Sequence, residues 1–235
     1  MKLAGMQPYF FPYLGYYALI KHSNKWVVAD NVQHISRGWI ERNRILNPNN
    51  GWHYIRVPLE KASHKQAIKS RKIRNNENWQ QKIFSQLVHY KNIAPYYRNV
   101  TELLEETFSY QTDSIVDLNI RSLELVCQYL KIPFNYFYAS NLDIDRNKIK
   151  ESDDWALQIA LLIGADQYLN PPGGIDFYNR DKFDQNHVSL KFLKVHLNPY
   201  DQHIKPFEPG LSIIDVMMFN SPSRISEMLD DYEFL

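Results

Sequence analysis

The sequence has one cysteine, no long apolar run and almost no excess of charge. The single cysteine, Cys127, excludes an intrachain disulfide and is typical of a protein from the reducing cytoplasm. No apolar run reaches the roughly 18 residues that a membrane-spanning helix needs, and no signal-peptide pattern opens the chain. The net charge of +1 gives no bulk attraction to nucleic acid or to an anionic membrane. The composition therefore predicts a cytoplasmic protein without a membrane span and without a nucleic-acid partner.

The common motifs of metal-dependent, nucleophilic and phosphate-binding enzymes are also absent. The histidines show neither HExxH nor HxH spacing, and the chain has no GxSxG elbow, no CxxC pair and no P-loop. Cys127 lies in an apolar helical run and is predicted to be a small core residue. The sequence thus predicts no metal site and identifies no cofactor. Its amides, carboxylates, arginines and tyrosines remain as groups that bind polar or phosphorylated ligands.

The pattern of apolar residues predicts the fold class. Short apolar runs predict strands at residues 2–6, 26–29, 52–59, 134–139, 166–170 and 188–195. Helical spacing covers residues 78–91, 96–108, 114–130 and 153–163. This order predicts an α/β fold, with a mostly parallel sheet flanked by helices and a helical middle segment at roughly residues 75–131. We predict a single domain over residues 1–235, helix 153–163 capped by Ser152, and a fraying acidic tail at 221–235.

Polar side chains follow the first two predicted strands. Gln7 comes directly after the run 2–6, and Asp30 and Gln33 follow the run 26–29. Ligands of open α/β sheets bind outside the carboxyl ends of the strands, so we expect Gln7 and Asp30 to lie side by side. Tyr9 belongs to a loop of four aromatic residues and two prolines, which is expected to be rigid. Its aromatic rings fit a core position as well as a binding role.

Arginines are concentrated in the next segment, which is interpreted as a polar basic loop. Arg37, Arg42, Arg44 and Arg56 lie within 20 residues. A guanidinium group binds phosphate or carboxylate through two parallel hydrogen bonds, so these residues are the best anion-binding candidates. The alternative is a solvated basic loop. The basic run at residues 61–74 is interpreted as a solvated charged face.

A loop rich in proline and glycine follows the predicted strand 166–170. Such a loop lets the backbone approach a ligand closely, although its glycine spacing matches neither a dinucleotide fingerprint nor a P-loop. The alternative is a tight connection without a ligand. The candidate residues of this block are Asp166, Asn170, Gly173, Gly174 and Tyr178.

Three sequence blocks, read in order along the chain, match a known family pattern. They are QPYFFPYLGY near the start, VVADNVQHISRGWIERNRI after it, and LLIGADQYLNPPGGIDFY in the second half. Together with WHYIRVPL and FEPGLSIIDVMMFN, they resemble the WbqC-like family over nearly the whole chain. The resemblance implies a bacterial protein of surface-polysaccharide (O-antigen) biosynthesis. It also implies a transferase that attaches an amino-acid or acyl group to a nucleotide-linked amino sugar.

The transferase hypothesis assigns a role to each candidate residue. The catalytic candidates, which orient a carbonyl or act as a general base, are Gln7, Asp30 and Asp166. The substrate-binding candidates are Tyr9, Gln33, Arg37, Arg42, Arg44, Asn170, Gly173, Gly174 and Tyr178. Where relatives often carry Ser-Gly-x-Ser-Gly, this chain has Asn-Pro-Pro-Gly-Gly at residues 170–174. A mechanism that depends on those serines is therefore disfavoured.

Two other functions stay open from the sequence. The first βαβ unit resembles that of adenylate-forming, ATP-dependent amide ligases of the pantoate–β-alanine type, although the LGYY stretch replaces their HxGH histidines. A non-catalytic scaffold of glycan assembly is the other alternative, because aromatic residues make up 14% of the chain and no catalytic set is recognisable. The aromatic content is also consistent with a homodimer. The expected ligand is a small molecule, a nucleotide-linked sugar.

Overall fold

The computed structural model contains a six-stranded sheet and a separate two-stranded hairpin. It describes residues 1–63 and 65–235, except for the side chain of Arg146. The strands are β1 (Lys2–Met6), β2 (Lys25–Val28), β3 (Arg42–Leu46), β4 (Trp52–Arg56), β5 (Tyr136–Tyr138), β6 (Gln167–Asn170), β7 (Ser189–Val195) and β8 (Tyr232–Phe234). The α-helices are α1 (Leu14–His22), α2 (Trp79–Leu87), α3 (Tyr97–Ser109), α4 (Ile115–Leu130), α5 (Ser152–Leu162), α6 (Arg180–Gln185), α7 (Ile213–Phe219) and α8 (Pro222–Asp230).

The main sheet is mostly parallel and is buried on both faces. Its strand order is β5-β2-β1-β6-β7-β8, and only the edge strand β8 pairs antiparallel, with β7. Leu3, Val27 and Tyr168 point towards the side of α5 and α6, whereas Ala4 and Trp26 point towards α1, α4, α7 and α8. Burial on both faces explains why these strands are continuous apolar runs in the sequence. The predicted α/β class with a helical middle segment is confirmed.

The direction of strand succession reverses at β1. The chain passes from β1 through α1 to β2 on one side, and β6 later pairs with the other side of β1. Such a switch point leaves a crevice outside the carboxyl ends of the strands. The general rule for open α/β sheets thus directs the search for a ligand site to the carboxyl ends of the strands.

Two regions differ from the sequence prediction. Residues 42–46 form strand β3, not a basic loop, because Arg42 and Arg44 alternate with the buried residues Asn43 and Ile45 and pair with β4. The tail, residues 221–235, does not fray. It forms α8 and β8, since the buried residues Ile225, Met228 and Leu229 have helical spacing and β8 pairs with β7.

The start of α5 also differs in detail from the prediction. The helix begins at Ser152, and Glu151 is its N-cap residue. The carboxylate of Glu151 accepts from the backbone amide of the third helical position, Asp154, whose side chain accepts from the Glu151 amide at 2.8 Å. This reciprocal pair satisfies two amides that would otherwise be unpaired at the helix start. A glutamate thus does what the sequence analysis assigned to Ser152.

A buried carboxylate fixes the β3–β4 hairpin to the rest of the protein. Asp215 at the start of α7 accepts hydrogen bonds from the hydroxyl of Tyr90 at 2.6 Å and from the amide of Gln202 at 3.0 Å. The Tyr90 hydroxyl accepts in turn from the backbone amide of Leu46 on β3, at 2.9 Å. Burial raises the pKa of Asp215, although these donors partly oppose the rise. The network positions β3, and with it Arg42 and Arg44.

Candidate functional site

Gln7 and Asp30 lie at the carboxyl ends of the adjacent strands β1 and β2. Asp30 is 3% exposed, and its Oδ1 accepts from the backbone amide of Ser140, just beyond β5, at 3.0 Å. The Tyr16 hydroxyl donates to the Gln7 carbonyl at 2.9 Å. The predicted strand ends therefore meet at one edge of the sheet. The Asp30 carboxylate also connects that edge to β5.

The block after β6 lies at the same edge. Asn170 is buried, and its side chain lies where a side chain on Gly174 would be: a Cβ there would be 1.8 Å from Asn170 Nδ2. Gly173 has open space around it. Tyr178 packs within the apolar cluster beside α6, with ring centroids 6.2 Å from Tyr168 and 6.0 Å from Phe183. Its neighbours are thus core aromatic rings.

Asp166 is separated from the other catalytic candidates. It precedes the first residue of β6, so it lies at the amino ends of the parallel strands, whereas Gln7 and Asp30 lie at the carboxyl ends. Its side chain is 75% exposed, and its Oδ1 is 2.5 Å from the amino group of Met1. This ion pair lowers the pKa of Asp166. The geometry gives Asp166 no contact with the rest of the candidate set.

The loop between β2 and β3 is organised by a buried acid. The carboxylate of Glu41 is 3.1 Å from His34 Nε2 and accepts from the backbone amide of Arg37 at 3.0 Å. The Arg37 side chain is exposed, and Gln33 joins an isolated antiparallel bridge with Ala67. The loop places Gln33 and Arg37 outside the two pockets described next.

A pocket of about 300 Å³, here called the ring pocket, lies beyond the carboxyl ends of β1 and β7. Tyr9 and Tyr13 come from the loop after β1, Leu197 follows β7, and Trp39 and Arg44 come from the hairpin side. Burial raises the pKa values of Tyr9 and Tyr13, and Tyr13 adds to the rise at Tyr9. Both phenols are therefore neutral hydrogen-bond donors at pH 7.

Arg44 is the cation of the ring pocket and is held from several sides. Its Nη2 donates to the carbonyl of Gly210 at 3.0 Å, and its guanidinium carbon lies 5.7 Å and 5.1 Å from the ring centroids of Trp39 and Trp52. Its Nε is buried and has no hydrogen-bond partner among the residues described. The Gly210 carbonyl and the two tryptophan rings therefore preorient the guanidinium that lines the pocket.

Asn43 binds the aromatic loop to β3 at the wall of the ring pocket. Its Nδ2 donates to the carbonyls of Phe10 at 3.1 Å and Phe11 at 2.9 Å, and its Oδ1 accepts from the Arg44 amide at 2.8 Å. Phe11 has a φ of 40°, a strained value for a bulky residue. Ser212 Oγ also donates to the Phe11 carbonyl, at 2.7 Å. These bonds hold the strained loop, and so the Tyr9 side of the pocket, in place.

Arg42 lies in a different hollow, here called the basic cleft. This cleft of about 550 Å³ is lined by Arg42, Arg56, Arg74 and Lys82, with Tyr54 beneath Arg42. Arg42 and Arg56 face each other across the hairpin. The three arginines among the substrate-binding candidates are therefore distributed over three places: Arg44 in the ring pocket, Arg42 in the basic cleft and Arg37 outside both.

Sequence reasoning missed part of each pocket. Trp39 and Leu197 line the ring pocket, but Trp39 had no role assigned within its family block and Leu197 belongs to no quoted block. Arg74 belongs to the run interpreted as a solvated face, and Lys82 belongs to a helix noted only for its core spacing; His64 of that run lies outside the described residues. The alternation of residues 42–46 and 52–56 could have indicated that Arg42 and Arg56 share a face. In the part of the chain that is described, no group of three or more His, Cys, Asp or Glu side chains is placed to hold a metal ion.

Comparison with known proteins identifies the family. A profile of the WbqC-like protein family matches residues 7–227, which include both pockets. The chain belongs to the WbqC-like protein family. This WbqC-like chain is also 25% identical, over 231 residues, to an uncharacterized protein of Mycobacterium tuberculosis, with 97% of each chain covered. No solved structure matches the chain at a significant level. The family predicted from the three sequence blocks is confirmed.

No helix in the described part of this WbqC-like chain combines the length and apolar character needed to cross a bilayer.

Proposed function

We propose that this WbqC-like protein binds a nucleotide-linked amino sugar in the ring pocket and transfers an amino-acid or acyl group to it. The observation that carries the proposal is the guanidinium of Arg44, oriented by the Gly210 carbonyl and two tryptophan rings, in a pocket lined by Tyr9, Tyr13 and Trp39. Flat aromatic faces stack on bases and sugar rings, and a guanidinium binds phosphate oxygens. The pocket therefore combines aromatic faces for a base or sugar ring with a cation for phosphate, and a nucleotide-linked sugar contains all of these groups.

The position of the pocket also supports the proposal. It lies beyond the carboxyl ends of the parallel strands, where open α/β sheets bind their ligands. Gln7, Asp30 and Asn170 end strands at the same edge of the sheet. The proposed reaction forms a bond between the amine of the sugar and the acyl carbon, while the leaving group of an activated donor departs. Asp30 is the proposed base that takes the proton from the amine.

Isothermal titration calorimetry against a panel of UDP- and dTDP-linked amino sugars tests the binding step. A charged hydrogen bond contributes about 1.5–3 kcal/mol. We therefore expect Arg44→Gln to weaken binding by about 10- to 100-fold. Arg98→Gln is the control, because Arg98 is 90% exposed on α3 and belongs to neither pocket. Equal affinity in the wild type and Arg44→Gln, or no binding by any member of the panel, refutes the proposal.

The transfer step needs a separate variant. Asp30→Asn keeps an oxygen that accepts from the Ser140 amide but removes the proposed base. We expect this variant to bind the nucleotide-linked sugar as the wild type does and to form no product, measured by mass spectrometry of the sugar nucleotide. Normal product formation by Asp30→Asn excludes Asp30 as the base and leaves the binding proposal standing.

A further inference from the structure

The basic cleft has a strong excess of positive charge. Four cations border it, Arg42, Arg56, Arg74 and Lys82, and Glu77 is the one carboxylate among its lining residues. Four positive charges and one negative charge give a local charge of about +3. The whole chain has 27 basic and 26 acidic residues, so the excess belongs to this hollow and not to the protein as a whole.

Two of these cations are fixed by the protein. Arg42 stacks on Tyr54, with the guanidinium carbon 4.0 Å from the ring centroid, and its Nε donates to the Gly38 carbonyl at 3.3 Å. Arg74 Nη2 donates to the Leu59 carbonyl at 3.0 Å, and its Nη1 pairs with Glu77. The backbone and aromatic contacts orient both guanidinium groups without neutralising them, whereas Glu77 balances the charge of Arg74.

The other two cations have no counterion of their own. In the segments that the structure describes, neither Arg56 nor Lys82 makes an ion pair. Like charges around one hollow repel each other, and this repulsion is relieved when an anion enters. The arrangement is that of a site for a multiply charged anion, since a singly charged group leaves most of the excess unbalanced.

We propose that the basic cleft is a second anion-binding site, which takes a ligand with two or more adjacent phosphate groups. The cleft shares no lining residue with the ring pocket, and Arg42 and Arg44 serve different hollows although they are two residues apart on β3. Two ligands can therefore be held at two positions along one strand. The inference goes beyond the proposed function and does not depend on it.

Inorganic pyrophosphate is the probe, and titration calorimetry of the full chain is the assay. Arg56→Gln/Lys82→Gln removes the two unpaired cations, both of which are exposed, so the fold is expected to survive and circular dichroism checks it. The matched control is Arg98→Gln/Arg224→Gln, which removes two positive charges outside both pockets. We expect one pyrophosphate per wild-type chain, at least tenfold weaker binding to the first variant, and a change of less than twofold in the control.

Two further arms separate the cleft from the ring pocket and from other sources of phosphate. Arg44→Gln is expected to bind pyrophosphate as the wild type does. ATP titration shows which part of a ligand the cleft recognises. If ATP binds with the affinity of pyrophosphate, the cleft recognises the phosphate groups alone. If ATP binds more tightly, the ligand is a nucleotide. Both results support the site.

Three results overturn the inference. They are absence of pyrophosphate binding to the wild type, wild-type affinity in Arg56→Gln/Lys82→Gln, and loss of pyrophosphate binding in Arg44→Gln. Failure of every sugar nucleotide to bind removes the proposed function but leaves the pyrophosphate result intact, so the two failures are distinguishable.

Discussion

Replacing Asn43 tests whether one buried amide holds the aromatic loop against the hairpin. Asn43 is 3% exposed and takes part in three hydrogen bonds to backbone groups, two as donor and one as acceptor. Asn43→Ala removes all three. The Phe11 carbonyl keeps its bond from Ser212, whereas the Phe10 carbonyl and the Arg44 amide lose the partner that Asn43 supplies.

The expected cost follows from this count. Each net hydrogen bond contributes about 1 kcal/mol, and a buried group left unpaired costs about 1–3 kcal/mol, so Asn43→Ala should lower the free energy of unfolding by about 2–3 kcal/mol. For a chain of this size, 1 kcal/mol corresponds to about 2–4 °C in Tm. We therefore expect Tm to fall by about 5–10 °C in differential scanning calorimetry.

The Asn43→Asp variant tests whether hydrogen bonding, and not the size of the side chain, holds the aromatic loop. Asn43→Asp has the same shape but places a carboxylate oxygen against the two carbonyls that now receive N–H donors. It should therefore be less stable than Asn43→Ala. Asn49→Ala, in the exposed turn between β3 and β4, is the control and should leave Tm within about 1 °C, as expected of a surface substitution. A stable Asn43→Asp variant refutes the reasoning.

Two further predictions concern the carboxyl edge and the loop before β3. Gly174→Ala should lower stability and displace Asn170, because the new Cβ would lie 1.8 Å from Asn170 Nδ2, whereas Gly173→Ala, with open space, should be tolerated; equal Tm values for the two variants contradict this. Burial would raise the pKa of Glu41, but the hydrogen bond and charge of His34 outweigh burial and lower it. Glu41 therefore stabilises the fold above its ordinary pKa of 4.5 and loses this contribution as pH falls through the lowered value. The urea midpoint of Glu41→Gln should fall less than that of the wild type between pH 7 and pH 3, and parallel curves would exclude this role.

Much of the sheet could be predicted from local patterns, because the inner residues of its central strands are mostly apolar and are buried on both faces. Strand β3 of the hairpin could not, since it places arginines on its outer face and one of its inner positions is the polar residue Asn43. The buried side-chain amide of Asn43 donates hydrogen bonds to the backbone carbonyls of Phe10 and Phe11, which are more than 30 positions away in the sequence. Local propensity contains no information about such a partner.

The candidate site was predictable at the strand ends and less so in the pockets. Gln7 and Asp30 lie at one edge because parallel strands align their carboxyl ends, a rule that needs only the strand order. The ring pocket needs Trp39, Arg44 and Leu197, which come from a loop, a hairpin and the segment after β7. Asp166 is the first residue of the predicted strand 166–170, so it lies at the amino end, and in the structure β6 begins one residue later.

The most direct test of the central claim is a crystal structure of the protein with a nucleotide-linked amino sugar. The account predicts a ring of the ligand against Tyr9, Tyr13 or Trp39, and a phosphate oxygen within hydrogen-bond distance of the Arg44 guanidinium. A ligand bound elsewhere, with the ring pocket empty, would contradict it.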